Sequence, residues 1–192
     1  ILKIYIDFKS PESYLAFHQT RKISFGDNIR IEWRPFLTNS RNIPIAKEIE
    51  TKGETHARIR EEHRKFINLK YSKNLSIPMR YPDEDIQTNL ALALTPHLQD
   101  KTVQYISLAF DYYWRKNWNL NDPAIVEMLL AKTQSDKNLL RNSSALIDTL
   151  RENTALSKEQ GVLSTPTYQI NEELFLGREH LPWIEKILND QS

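Results

Sequence analysis

Apolar and polar positions divide this chain into three stretches with different periods. Residues 2–8, Leu2-Lys3-Ile4-Tyr5-Ile6-Asp7-Phe8, are rich in β-branched and aromatic side chains and predict a buried strand. A polar break, Ser10-Pro11-Glu12-Ser13, follows at once. Ser10 suits an N-cap, and Pro11 suits the first helical position, where its missing N–H costs nothing. Tyr14, Leu15, Ala16, Phe17 and Ile23 then carry a predicted helix to about Gly26. Residues 29–36 alternate cleanly and close on Pro35-Phe36, the mark of a second strand. The opening is a βαβ unit.

The middle has helical period. Over 55–72, Ile59, Phe66, Ile67 and Tyr71 are predicted to share one apolar face. Within 85–98, Leu90, Leu94 and Leu98 recur every four residues, and Val103, Ile106, Phe110, Tyr113 and Trp114 form a further stripe. Asp122-Pro123 starts the next helix, and a last one runs from about Ser144 to a stop at Gly161. The period then returns to two. Residues 166–170 and 173–176 are predicted strands around Asn171-Glu172, a hairpin turn, and 179–188 is a closing helix. The order is βαβ, about a hundred helical residues, then ββα. It predicts an α/β fold in which residues 1–40 and 160–192 form one sheet layered with helices and 41–159 are a helical insertion.

Composition narrows the function. Lys plus Arg number 26 and Asp plus Glu 25 in 192 residues, so no basic excess exists to follow a phosphate backbone, and nucleic acid is not an expected partner. No run approaches the ~18 apolar residues that span a membrane, so no membrane partner is expected either. The chain opens in strand pattern with no visible leader, and a cytoplasmic location is the expectation. There is no cysteine. That excludes a disulfide framework, a thiolate metal site and a cysteine nucleophile. His56 and His63 lie two helical turns apart, too far to chelate together, so no metal site is expected.

The strand-to-helix corner at Ser10 is the main candidate site. Free N–H groups at a helix N-terminus favour anions and thiolates. This protein can receive a sulfur there but cannot supply one. On the segment alone, Ser10-Pro11-Glu12 is equally an ordinary helix start. The charged run 58–65 reads as a solvated face with i,i+4 ion pairs.

Two motifs carry a resemblance that spans nearly the whole chain. Asp7-Phe8-Lys9-Ser10-Pro11-Glu12-Ser13-Tyr14-Leu15-Ala16 stands near the start, and Thr165-Pro166 precedes Phe175-Leu176-Gly177-Arg178-Glu179 near the end. Together they resemble the DsbA-like branch of the thioredoxin superfamily, in particular 2-hydroxychromene-2-carboxylate isomerases and kappa-class glutathione transferases. The resemblance implies that the sheet domain of residues 1–40 and 160–192 is thioredoxin-like. It also implies glutathione as cofactor, a small aromatic or conjugated acid as substrate, and a homodimer. It implies that Ser10 is catalytic, hydrogen-bonding the glutathione sulfur beside Pro11 and Glu12. Thr165, ahead of a cis Pro166, would meet the cysteinyl unit. Arg178 and Glu179 would hold the γ-glutamyl end, Asn42 would contact the tripeptide and Lys65 its glycyl carboxylate. Three departures stand out: Glu12 replaces a usual aromatic residue, Arg178-Glu179 replaces a shorter polar–acid pair, and Gln87-Thr88 replaces Asn-Thr. The alternative is a non-catalytic thioredoxin-fold module that binds a peptide or partner. Direct dithiol exchange is excluded, since no thiol exists to form the mixed disulfide.

Overall fold

The computed structural model describes residues 1–23, 25, 28–38, 46–82 and 86–190. Four strands, β1 (Leu2–Ile6), β2 (Ile31–Pro35), β3 (Thr167–Ile170) and β4 (Glu173–Leu176), form one sheet in the order β2-β1-β3-β4. β1 runs parallel to β2 and antiparallel to β3, with Ile4 opposite Trp33 on one side and Tyr168 on the other. β3 and β4 make the expected hairpin, and Asn171 takes the left-handed turn conformation that asparagine tolerates. Helix α1 (Pro11–Thr20) links β1 to β2, and α7 (Leu181–Asp190) closes the chain.

Between β2 and β3 lie α2 (Lys52–Asn74), α3 (Asn89–Leu94), α4 (Thr102–Lys116), α5 (Pro123–Lys132) and α6 (Ser143–Glu159). The helix expected over 85–98 is shorter. After Leu94 the chain tightens into two 3₁₀ turns, Thr95–His97 and Gln99–Lys101, where Pro96 has no N–H to continue the α-helical pattern. Asp85, the expected start, lies outside the described residues. α1 also stops early. The N–H groups of Lys22 and Ile23 go to Gln19 and Thr20, the tighter i→i−3 pattern that ends a helix. Gly26, its expected end, is outside the described residues too.

Period-two alternation in β1 sorts its side chains onto two faces. Leu2, Ile4 and Ile6, with Phe8, join the main core, where Tyr14, Leu15 and Phe17 of α1 meet Tyr105, Phe110 and Trp114 of α4. Tyr5 points the other way and packs with Phe36 and Val162. Trp114 Nε1–H donates to the Phe8 carbonyl at 2.9 Å, which fixes α4 to the end of β1 directly before the candidate corner.

α2 inverts its expected orientation. Phe66 is 63% exposed and Ile59 51%, with Leu69 and Tyr71 also exposed. The buried residues of this helix are Glu61, Asn68 and Ser72, all polar. A Thr51/Glu54 capping box starts it, so local signals and length, rather than an apolar inner face, define the helix.

Candidate functional site

The corner is built as the sequence predicts. Ser10 caps α1 with extended backbone, and its Oγ accepts the Ser13 N–H at 3.1 Å. The same hydroxyl donates to the Thr165 carbonyl at 3.1 Å, across 155 residues of sequence. The Thr165–Pro166 bond is cis. Gly177 N–H donates to the Pro166 carbonyl at 2.9 Å, which brings the late motif beside the early one. Gly177 has φ +94°, a left-handed backbone for which glycine is suited, and a Cβ there would meet the Glu179 carboxylate.

Ser10 is buried, and Glu12 covers it: Glu12 Oε2 stands 3.4 Å from its hydroxyl. Arg64, on α2, grips Glu12 with two hydrogen bonds, Nε to Oε1 and Nη2 to Oε2, and also meets Glu61 at 3.1 Å. Asn68 Nδ2 donates to Glu12 Oε1 at 2.8 Å and lies 3.4 Å from the Tyr81 hydroxyl. Burial alone would raise the Glu12 carboxyl. The hydrogen bonds and charge of Arg64, with Asn68, outweigh burial and hold it below the usual carboxylate range. Tyr81 is pushed up to about 12, mainly by burial.

A second carboxyl behind the corner shifts the opposite way. Asp7 is fully buried and accepts from Thr38 N–H at 2.9 Å, Thr38 Oγ1 at 2.6 Å and Thr88 Oγ1 at 3.2 Å. Burial raises its pKa despite those bonds. Asp7 thus ties β1 to the segment after β2 and to the start of α3, while its N–H lies 3.4 Å from Ser13 Oγ.

Two cavities open beside this corner. The smaller, about 310 Å³, is lined by Glu12, Ser164, Thr165, Pro166, Leu176, Gly177, Arg178 and Glu179. The larger, about 890 Å³, shares Glu12, Arg178 and Glu179 and extends along Gln19, His63, Asn68 and Tyr71 to Lys22. Arg178 stacks its guanidinium 4.1 Å above the Tyr71 ring and donates to Gln19 Oε1 at 2.9 Å. The buried Thr165 hydroxyl has no hydrogen-bond partner, in the wall of the smaller cavity.

Of the residues singled out from sequence, Ser10, Glu12, Thr165, Pro166, Arg178 and Glu179 are brought together here. Pro11 is buried as the first residue of α1 and lines neither cavity. Lys65 is exposed, with its ammonium 5.5 Å over the Tyr81 ring, and lines neither cavity; its neighbour Arg64 is the α2 cation that reaches the corner. Asn42 lies outside the described residues. Arg64, Asn68, Tyr71 and Tyr81 were not singled out. For Arg64 and Asn68 the signal is the three- and four-residue spacing of Glu61, Arg64, Asn68 and Ser72, a polar stripe inside a helix; Tyr71 reads in the sequence only as part of an apolar face, and Tyr81 carries no such signal. The 58–65 run does hold the expected Arg58–Glu62 pair, at 3.2 Å, but Arg64 turns inward from it.

The chain that forms this corner matches the model of the DSBA-like thioredoxin domain family over residues 1–189. The chain belongs to that family. A search of the curated proteins finds no match. Among solved structures it is similar to a 2-hydroxychromene-2-carboxylate isomerase (TM-score 0.76, 18% identity), covering 99% of this chain and 95% of that one. It is also similar to the cytosolic disulfide reductase DsbM from Pseudomonas aeruginosa solved with GSH (TM-score 0.68, 14% identity), covering 99% and 98%. At such identities the likeness is one of fold. Among the described residues no group of three or more His, Asp or Glu side chains is arranged to hold a metal, and no helix is long and apolar enough to cross a membrane.

Proposed function

We propose that this DsbA-like protein is a glutathione-dependent isomerase or transferase acting on a small conjugated or aromatic acid. The observation that carries the reading is the Ser10–Thr165 contact: a helix-capping hydroxyl held against the residue before Pro166, in a chain with no cysteine of its own. A neighbouring fold solved with GSH adds support. Glutathione, when bound, supplies the sulfur nucleophile that adds to and later leaves a conjugated double bond.

The chain's own residues have three tasks in this reading. Ser10 Oγ turns its proton from the Thr165 carbonyl to the sulfur, and the α1 N-terminus adds its positive end. That rotation frees the Thr165 carbonyl for a ligand N–H. Arg178 and Glu179 present opposite charges to an amino-acid end at the shared rim of the two cavities. Glu12 must move aside, because its carboxylate covers Ser10 and an anion there opposes a thiolate.

Glu12 also favours a second reading, a non-catalytic binding module whose corner is closed for good by Arg64. Calorimetric titration with glutathione separates the two. Binding that is weakened in Ser10→Ala and strengthened in Glu12→Ala supports the enzyme; no heat at millimolar ligand in either wild type or Glu12→Ala leaves the module.

A further inference from the structure

We propose that the outer edge of β2 is a docking site for an extended acidic peptide, which adds to the sheet as a fifth strand. This goes beyond the glutathione reading and does not rest on it: the groove beside the edge shares no lining residue with the two cavities at the corner. β2 ends the sheet, with β1 on its inner side only. Leu2 N–H donates to the Arg30 carbonyl and Phe36 N–H to the Ile6 carbonyl, both at 2.9 Å. Alternation along a parallel strand therefore aims the backbone of Arg30, Glu32, Arg34 and Phe36 at β1 and that of Ile31, Trp33 and Pro35 outward. The Ile31 and Trp33 N–H groups and the carbonyls of all three have no hydrogen-bond partner among the described residues. A cavity of about 810 Å³ lies beside them, lined by every residue of β2 and by Leu146, Leu150, Asn153 and Ser157 of α6. The five strand residues and that stretch of helix are each about 16 Å long, which suits an extended segment better than a compact ligand.

Charge selects the occupant. The ionisable residues lining the groove are Lys3, Arg30, Glu32, Arg34 and His97. Both oxygens of Glu32 are taken by Arg30 and Arg34, and Lys3 has no carboxylate partner among the described residues. α6 brings no acidic side chain into the lining. Three cations against one occupied carboxylate make the groove a host for negative charge. The period of the strand also fixes the pattern of the guest. Arg30, Glu32 and Arg34 share one face with Lys3, which stands opposite Glu32 in the ladder, while Ile31 and Trp33 share the other. An added strand presents its side chains to these two faces in turn, so acidic residues fall beside the guanidinium groups and apolar ones beside Ile31 and Trp33. Val103 and Leu156, both exposed and both in the lining, extend the apolar contact. Charged side chains and a proline keep an edge strand from pairing indiscriminately. Here they also specify the strand that is admitted, one that alternates acidic and apolar residues, with main-chain bonds giving affinity and alternate side chains specificity.

Fluorescence polarisation on the whole chain tests this, with a labelled peptide of about eight residues in which Glu and Val alternate. It is expected to bind with a Kd below about 1 mM at low salt and to weaken as salt is raised. Arg30→Glu and Arg34→Glu, both at exposed side chains, each weaken binding by about tenfold with unchanged circular dichroism. A peptide alternating Lys and Val does not bind. N-methylation of the peptide separates strand addition from charge attraction: methyl groups on the N–H groups that face β2 abolish binding, and methyl groups on the alternate set leave it within about twofold. No binding of the Glu–Val peptide overturns the proposal. So does equal binding of the Lys–Val peptide, or an equal effect from the two methylated sets. A dimer that the peptide splits in sedimentation also overturns it, since a second copy is then the occupant of the edge.

Discussion

α2 and α4 are both long helices between β2 and β3, and both have apolar residues at helical spacing. α4 buries Tyr105, Ile106, Ala109, Phe110, Tyr113 and Trp114 against the end of β1. α2 buries only Glu61, Asn68 and Ser72 and turns Ile59 and Phe66 to the outside. Hydrophobic burial fixes the first helix in place. A charge pair that reaches the candidate site fixes the second. Periodicity thus reports that a helix has two faces, but what each face meets depends on the partner across from it.

The sharpest way to break this comparison is to truncate one aromatic residue on each helix. Phe110→Ala is expected to cost about 3–5 kcal/mol of unfolding free energy, and Phe66→Ala no more than about 0.5 kcal/mol. Denaturant unfolding of the two variants checks it, and equal losses would erase the distinction between the helices. Next comes Arg64→Met, which leaves the partly buried Glu12 carboxylate without its main partner. A loss of about 1.5–3 kcal/mol is expected by the same measurement.

The two carboxyls at the corner sharpen the electrostatic half. Glu12 has a lowered pKa, so its ionised form stabilises the fold above the ordinary value of 4.5 and that contribution disappears as pH falls through its folded pKa. Asp7 has a raised pKa, so the fold gains as pH falls from its folded value towards the ordinary 3.8 and loses as pH rises again. Unfolding curves across the acid range are therefore expected to show the wild-type advantage over Glu12→Gln shrinking towards low pH. The advantage over Asp7→Asn should grow over the same range. Parallel pH slopes would contradict both assignments. The smallest effect belongs to Lys65→Ala, which is expected to change stability by no more than about 0.5 kcal/mol.

The fold was legible because its signals are local: Ser10-Pro11 opens α1, alternation marks the strands, and Asn171 turns the hairpin. The pairing of Ser10 with Thr165 was legible only through the resemblance, since 155 residues separate them. The site's α2 wall was not. Its charged run looks like any solvated helix face, and the polar spacing of Glu61, Arg64, Asn68 and Ser72 marks a face without naming what it meets: Arg64 reaches Glu12, whereas Arg58 pairs with Glu50 and Glu62. The inward face of α2 meets Glu12 through Arg64 and Asn68, at the position where the resemblance implies an aromatic residue. An aromatic residue there would have offered Arg64 no carboxylate.

The central claim is that Ser10 and the start of α1 receive a sulfur the chain cannot provide. The ultraviolet absorbance of thiolate on adding glutathione at neutral pH reads this directly. The account predicts a thiolate signal with the wild type, a stronger one with Glu12→Ala and its loss in Ser10→Ala. No signal from any of the three proteins, or equal signals from wild type and Ser10→Ala, would contradict it.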